Sequence, residues 1–474
     1  MRPALALLLV AAGLLPAQET PTERDAARSV VAKMDSLERS LNVTAMVARL
    51  AGPNAARDQV AARAKELMDT ELLALGDDIT RHPEIGFEEK RSVQLLTDYL
   101  RKHDFDVRMG TPASLPTAFV ARYNKSTPGP TLGIILEYDA LRGTKGAFHG
   151  DQHSTQGPIG IAAAVAIAEY LTRTKTPGTV IAFGTPGEEM MPPNAKTVMY
   201  DAHVFDGVDV LVRSHSTSQT GRPAPGFGTC CMNIDGVKFI FSGAPAHQLT
   251  AWNGRNALTA VMHLFDNIDA LRSNMRPEAR IQGVIVEGGA APNVVPDRTV
   301  ADFYVRYPDE VYLAQESEMV DNAARAAALA TGTKVKIDHY GKNRDGISVG
   351  TLSELAFAYT KKYGATGVNP EPGKPQGYEE TGSVSFNIPG IGFSAKTSNA
   401  PNHTYEMEAD ALTDVGHHGF VVDAEAMAAL LYDFATHEDF RAAVKREFST
   451  LKALHDEYLD ALRKVYAVPR VAEP

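Results

Sequence analysis

Three nearly continuous apolar runs constrain the fold of this chain most strongly. They are TLGIILE (131–137), TVIAFG (179–184) and VDVLV (208–212), and two stretches of helical character separate them (160–172 and 199–205). Strands buried on both faces have such runs, because helices cover both sides of a parallel sheet. The alternation therefore predicts an α/β domain built on a mainly parallel sheet.

The pattern changes near residue 232. From there to about 340 the predicted order is β-α-β-β-α-β, which is typical of a ferredoxin-like domain. The α/β pattern then returns, so we expect this domain, called the lid below, to be inserted into the α/β domain. The predicted divisions of the chain are a targeting segment (1–17), a helical extension (18–65), two α/β segments (66–231 and 341–440), the lid (232–340) and a helical tail (441–474).

Two further expectations concern helices late in the chain. A helix over 351–363 is predicted to begin with a capping box formed by Thr351 and Glu354. Residues 439–465 are charged and amphipathic, and they predict a pair of helices without site chemistry.

The start of the chain has the character of a secretory signal. Met1-Arg2 precedes an apolar run (4–15), and Ala17 stands before a polar stretch. The run is too short to span a bilayer; a buried N-terminal helix is the alternative. We expect cleavage after Ala17, a periplasmic or secreted protein, and no membrane partner after cleavage.

Charge and cysteine content exclude several classes of protein. Lys and Arg total 47 and Asp and Glu total 58, which gives a net charge of −11. No basic tract occurs, so a nucleic-acid partner is not expected. The two cysteines, Cys230 and Cys231, are adjacent, which excludes a disulfide scaffold and a Cys-rich zinc module. We expect them to pack within a strand.

Four polar clusters follow predicted strands or loops of the α/β domain. They are HGDQH (149–153), GEE (187–189), SHS (214–216) and NHT (402–404). Ligands of open α/β sheets bind at the carboxyl ends of the strands. The spacing therefore predicts that these clusters meet at one edge of the sheet.

These clusters contain the ligand types of a two-metal site. Zinc binds imidazole and carboxylate groups, and two ions held close together need a bridging carboxylate. The candidate ligands are Asp151, His153, Glu189, His215 and His403. The neighbouring Glu188 would remain available as a general base. Each feature alone has a simpler interpretation, since a lone His is more often a loop residue and a Glu pair is more often solvated surface.

Several stretches together resemble a known family. The sequence is similar to the zinc-dependent amidohydrolases and peptidases that include aminoacylase and carboxypeptidase G, and most similar to the branch of p-aminobenzoyl-glutamate hydrolases and auxin-conjugate hydrolases. The stretches that carry the resemblance are HPEIGFEE (82–89), LEYDAL (136–141), HGDQH, FGTPGEE (183–189), FDGVDVLVRSH (205–215), GRNAL (254–258), GGAAPNVVPD (288–297), GSVS (382–385) and NHT.

The resemblance implies a role for each candidate ligand. The branch usually has a bridging Cys where this chain has Asp151, so an oxygen bridge is expected and the choice of metal is open. His153 and His215 would complete one metal position, and Glu189 and His403 the other. We expect two divalent ions, zinc with manganese as the alternative. A metal-bound water, deprotonated by Glu188, would then attack the amide carbonyl of an N-acyl amino acid or dipeptide-like substrate.

The resemblance also assigns roles to lid residues. His247 matches a family histidine that stabilises the oxyanion, often from a neighbouring subunit. Arg255 and Asn293 lie in matching stretches and are expected to bind substrate. A homodimer or higher homo-oligomer through the lid follows from the same resemblance.

Two loops depart from the family pattern. The branch usually has Ser-Thr-Asp before the glycine of a late loop, whereas this chain has YEETG (378–382). A glycine-rich stretch after the Glu pair is replaced by MMPPN (190–194). We expect the first change to affect substrate choice, and the second to stiffen the loop or make the pocket more apolar.

Two rival functions come from other classes. GISVG (346–350) matches the G-x-S-x-G elbow of serine hydrolases, with Ser348 as nucleophile. The residues before it are polar, so the strand that this motif requires is not predicted. The second rival is a catalytically inactive protein that only binds a metal or ligand.

Overall fold

The structure is a computed structural model, and it describes residues 21–110, 115–123, 125, 127–190, 194–228, 232–379 and 381–465. The expected signal peptide, the Cys230-Cys231 pair and residues 191–193 lie outside this part of the chain. The chain forms two compact units. One contains 37–232 and 341–452; the other contains 233–340 with the segments before 37 and after 452. Among the described helices, none has the length and apolar character that crossing a membrane requires.

The described elements alternate between helix and strand. The α-helices are Pro21–Leu41 (α1), Val43–Leu50 (α2), Ala55–Leu67 (α3), Leu73–Arg81 (α4), Lys90–Lys102 (α5), His153–Thr174 (α6), Ala195–Asp201 (α7), Ala257–Leu271 (α8), Glu310–Thr331 (α9), Gly350–Lys362 (α10), Tyr405–Ala411 (α11), Asp414–Thr436 (α12) and Glu438–Val465 (α13). The strands are Phe105–Met109 (β1), Phe119–Tyr123 (β2), Thr131–Leu136 (β3), Leu141–Gly143 (β4), Gly146–Phe148 (β5), Thr179–Gly184 (β6), Val210–Ser214 (β7), Gly226–Phe227 (β8), Asn233–Ser242 (β9), Arg280–Glu287 (β10), Arg298–Tyr307 (β11), Lys334–Asn343 (β12), Ile347–Ser348 (β13) and Gly390–Phe393 (β14).

The larger unit is built on a six-stranded sheet of order β1-β2-β6-β3-β7-β14. Strands β6, β3, β7 and β14 are parallel, and β2 and β1 add antiparallel pairs at one edge. All residues of β6 and β7 are buried, which accounts for their continuous apolar sequence. The predicted mainly parallel sheet is confirmed.

Helix α6 packs on this sheet and starts earlier than the sequence predicts. It begins at His153 rather than at residue 160. The polar first turn has the sequence character of a loop, but its side chains are buried and hydrogen-bonded, and Ser154 accepts a bond from Thr80. At Gly160, an added Cβ would meet Leu136 Cδ2 at 2.3 Å, so only glycine lets the helix approach β3 this closely.

Two expectations for the later helices are wrong. Helix α10 has Val349 at its N-cap with no side-chain cap bond, so the Thr351–Glu354 capping box does not form. Instead, the buried carboxylate of Glu447 accepts bonds from the backbone N–H groups of Gly350 and Thr351 at 2.7 and 2.9 Å. A distant side chain thus caps the helix. The predicted C-terminal helix pair is a single helix, α13.

The lid has the predicted β-α-β-β-α-β order. Its four strands form a sheet of order β10-β11-β9-β12, and α8 and α9 contribute to its apolar core. Helix α9 begins at Glu310, where Asp309 caps it by accepting a bond from Tyr312 N at 2.7 Å. The terminal segments of the chain belong to this unit, where Glu23 pairs with Arg276 at 2.9 Å.

Candidate active site

The predicted ligands of the larger unit converge at the carboxyl end of its parallel strands. Asp151 and His153 lie at the start of α6, and Glu189 follows β6 in a short 3-10 turn. His215 comes directly after β7. His403 is held beside them because its backbone N–H donates to Gly150 O at 3.0 Å.

These five side chains form two groups that share one carboxylate. Ligand atoms of Asp151, His153 and His215 lie within 4.8 Å of one another, and so do those of Asp151, Glu189 and His403. His153, Glu188 and Glu189 form a third such group. Asp151 belongs to both of the first two groups, and a carboxylate is a group that can bridge two metal ions.

The surroundings of His153 fit a metal-binding imidazole. Its Nδ1 lies 2.9 Å from Asp139 Oδ1, while its buried Nε2 has no hydrogen-bond partner among the described residues. Metal-binding histidines typically donate their other ring N–H to a carboxylate, which fixes the tautomer and the ring orientation. The donor set and this arrangement fit a pair of divalent ions.

Asp139 is a site residue that the sequence reasoning missed. Its Oδ2 accepts a bond from the backbone N–H of Glu189 at 2.8 Å, so one carboxylate holds both His153 and Glu189. The sequence does contain a signal for Asp139, because the charged residues of LEYDAL directly follow a buried strand. Such residues have the same access to the carboxyl edge of the sheet as the histidines do.

Asp151 and His403 form a close pair. His403 Nε2 lies 3.1 Å from Asp151 Oδ2, and this bond raises the pKa of His403 to about 9. Burial opposes ionisation of Asp151, but the bond from His403 and the charges of His215 and His153 outweigh burial and lower the pKa of Asp151. His403 has φ 64°, a left-handed conformation that is uncommon for a non-glycine residue and often marks a functional site.

Burial and neighbouring negative charges disfavour the ionised form of Glu189. Its burial, with the negative charges of Asp151 and Asp139, raises the pKa of Glu189 to about 8 despite the nearby His153. A bound cation would stabilise the ionised form of such a carboxylate.

Glu188 is placed by a fixed turn. It is 4% exposed and opens the 3-10 turn Glu188–Met190. The preceding Gly187 has φ 63°, and a Cβ there would meet the Phe87 ring at 2.6 Å, so the turn requires glycine. Gly187 N–H donates to the buried carboxylate of Glu89 at 2.8 Å, and burial raises the pKa of Glu89 to about 7. Glu89 is a second residue that the sequence reasoning missed.

The predicted lid residues lie together in the other unit. His247 Nδ1 accepts a bond from Leu249 N at 3.2 Å and so caps the short helix Gln248–Asn253. Gln248 N–H donates to Asn293 O at 3.1 Å, which ties the two loops together. Arg255 is exposed, as are His247 and Asn293.

The loop at 378–382 is organised by one carboxylate. Glu379 is buried and accepts bonds from Thr381 N, Val384 N and Ser385 N at 2.9 to 3.1 Å. These bonds give a structural reason for Glu379, the first of the two glutamates that depart from the family pattern. Glu380 lies outside the described residues. One carboxylate thus binds three backbone N–H groups between residues 381 and 385.

The Ser348 motif has more of the elbow geometry than expected. A two-residue strand, β13, contains Ser348, and α10 begins at Gly350, so the prediction that no strand precedes the turn is wrong. However, Ser348 is 3% exposed. A serine nucleophile must present its hydroxyl at the surface of the turn.

Comparisons with known proteins point to one family. A family model described as the peptidase dimerisation domain matches residues 232–331. The chain is 28% identical to the Xaa-Arg dipeptidase of Homo sapiens over 411 residues, which cover 82% of this chain and 91% of the relative. It is 31% identical over 278 residues to one of the subunits of the p-aminobenzoyl-glutamate hydrolase of Escherichia coli, covering 55% of this chain and 56% of the relative.

A solved structure shares the fold. It is a dinuclear metal binding peptidase of the M20 family from Bacillus subtilis, with a TM-score of 0.53 and 19% identity, covering 77% of this chain and 99% of that chain. Fold, donor set and relatives define a metal-binding hydrolase of C–N bonds. The lid matches the peptidase dimerisation domain, and the chain resembles peptidases and amidohydrolases of the M20 family in its relatives and its fold. The predicted resemblance is thereby confirmed, and the serine-hydrolase alternative is not favoured.

Proposed function

We propose that this protein is a dinuclear metal amidohydrolase in which Asp151 bridges the two ions. The observation that carries the proposal is the pair of ligand groups that share Asp151. His153 and His215 would complete one position, and Glu189 and His403 the other. Zinc suits this set of nitrogen and oxygen donors, and an oxygen bridge in place of thiolate also suits manganese.

The substrate class we propose is a dipeptide or an N-acyl amino acid. The names of two relatives, Xaa-Arg dipeptidase and p-aminobenzoyl-glutamate hydrolase, support a substrate with an amide next to an amino-acid carboxylate. Turnover of a panel of dipeptides and N-acyl amino acids, with and without a chelator, tests this proposal. Bound metal without turnover on any member would favour the inactive binding protein instead.

Glu188 is the proposed general base. When bound, the metal ions would polarise the carbonyl and lower the pKa of water. Glu188 would take the proton from the attacking water and return it to the leaving amine, so that no charge builds up on nitrogen. Its buried position beside Glu189 supports this role, because a carboxylate there is within reach of the two ligand groups.

His247 is proposed to stabilise the oxyanion. We expect His247→Ala to lower kcat by about 10²–10³-fold, which is the usual cost of losing one such donor. Steady-state kinetics with metal analysis measures this, and His263→Ala, an exposed lid histidine, is the control. An unchanged kcat in His247→Ala would remove the residue from the mechanism.

Asn293 and Arg255 are proposed to bind substrate, which predicts a raised KM when either is replaced by alanine.

A homodimer through the lid is also proposed. Strand β10 is an edge of the lid sheet, and its apolar residues Val284, Ile285 and Val286 are 63%, 44% and 61% exposed. An exposed apolar edge strand presents unpaired backbone groups with which another chain can pair. Val284→Asp should therefore shift the protein toward monomer in sedimentation velocity, while Lys336→Asp on the opposite edge strand β12 should not. A wild-type protein that is monomeric at micromolar concentration would contradict the proposal.

Export is proposed from residues 1–17. The apolar run after Arg2 and the small residue at Ala17 support a periplasmic or secreted location. N-terminal sequencing of the exported protein should begin at Gln18. A protein that keeps Met1 and stays in the cytosol would contradict this proposal.

A further inference from the structure

Three charged side chains are buried behind the imidazoles of the candidate site. Glu137 directly follows β3, Arg213 lies on the neighbouring strand β7, and Lys196 lies in α7. Glu137 and Lys196 are 0% exposed and Arg213 is 4% exposed. We call these residues the buried triad.

Glu137 is the centre of the triad. Its Oε1 accepts bonds from Lys196 Nζ at 2.5 Å and Arg213 Nη1 at 2.9 Å. Its Oε2 lies 2.9 Å from Arg213 Nη1 and 3.8 Å from His153 Nε2, the nitrogen that would face a metal ion. The carboxylate is therefore held on one side by two cations and faces His153 on the other.

A fourth side chain connects the triad to the backbone next to His215. Gln156 lies one turn after His153 on α6. In the amide orientation that satisfies its hydrogen bonds, its N–H groups donate to Glu137 Oε2 and to Ser214 O, each at 2.7 Å. Ser214 immediately precedes His215. The rings of His153 and His215 are 5.9 Å apart between centroids. Glu137 thus links α6, which carries His153, to β7, which ends directly before His215.

Stability alone does not explain why three charged side chains are buried together. Removing charges from water costs several kcal/mol per ion, and apolar residues of similar volume are often as stable or more so. A metal site, in contrast, tolerates only about 0.2 Å of error in ligand distance. Here the two imidazoles come from different elements, so their spacing must be fixed by a group that contacts both elements.

We infer that Glu137, clamped by Lys196 and Arg213, is a positioning residue that sets the spacing of His153 and His215. The inference rests on the proposed function, in which these imidazoles hold a metal. Asp139 fixes His153 through Nδ1, and Glu137 Oε2 lies 3.8 Å from Nε2 on the other side of the same ring. Outer residues of this kind typically change metal affinity by about 10–100-fold when they are replaced.

Cobalt(II) titration of the metal-free protein tests the inference, with visible absorption as the readout of ligand geometry. In Glu137→Gln and Lys196→Met, we expect one of the two equivalents to bind about 10–100-fold more weakly with an altered spectrum. The equivalent held by Glu189 and His403 should be unchanged. The control is Asp433→Asn, which removes the charge of another fully buried carboxylate in the same unit, paired there with Tyr359. It should alter stability but neither the spectrum nor the stoichiometry.

The outcomes separate the two proposals. If the wild-type protein binds no cobalt, the proposed dinuclear site is wrong. If the wild type binds two equivalents and both variants keep its affinities and spectrum, the positioning role is overturned while the proposed function stands. If Glu137→Gln does not fold, because the buried charges of Lys196 and Arg213 lose the charge of Glu137, Lys196→Met and Gln156→Leu carry the same test. Equal weakening of both equivalents in these variants would also overturn the inference, since a general loss of structure would explain it.

Discussion

Glu188→Gln will lower kcat by about 10²–10⁴-fold while fold and metal content stay unchanged. The substitution keeps the shape of the side chain and removes its ability to accept a proton. Both the activation of water and the return of the proton to the leaving amine depend on that ability. Single-turnover kinetics, with metal analysis and thermal unfolding on the same samples, measures the effect.

The matched control for this variant is Glu447→Gln. Both glutamates are buried at 4% exposure in the same unit, but Glu447 caps α10 instead of facing the ligand groups. We expect it to lower the free energy of unfolding by about 1–3 kcal/mol with little change in kcat. If Glu188→Gln retains the wild-type kcat, another group must act as the base.

Replacing the shared carboxylate should have the largest effect on metal content. Asp151→Ala removes one ligand from both groups, so we expect fewer than two ions per chain and loss of activity. Asp151→Cys offers a bridging thiolate and should retain metal with a preference for softer ions. Metal analysis after dialysis against zinc, manganese or cadmium measures both results.

Asp433→Ala is the control for the alanine variant, since it removes a buried carboxylate of the same unit that belongs to no ligand group among the described residues. It should bind two ions per chain. The bridge assignment is wrong if Asp151→Ala also binds two ions at wild-type affinity.

The sequence predicted those parts of the molecule that depend on local pattern. Apolar runs predicted β3, β6 and β7, because burial on both faces of a strand leaves a direct signature in the sequence. The polar clusters after these strands predicted that Asp151, Glu189 and His215 would meet. Carboxyl ends of parallel strands necessarily share an edge.

Partners that are distant in sequence could not be predicted in this way. Glu447 caps a helix almost a hundred residues earlier, and nothing near Gly350 indicates it. Asp139 and Glu89 act through backbone N–H groups of the Glu188 turn, which have no sequence signature. The sequence did not predict the early start of α6, because a polar first turn has the sequence character of a loop. Its hydrogen-bond partners lie elsewhere in the chain.

Metal reconstitution tests the central claim most directly. A chain stripped of metal should hydrolyse none of the dipeptides or N-acyl amino acids, and turnover should rise with added zinc or manganese up to two equivalents per chain. A serine-directed phosphonate should leave the restored activity unchanged. Turnover that survives complete metal removal, or that the phosphonate abolishes, would contradict the account.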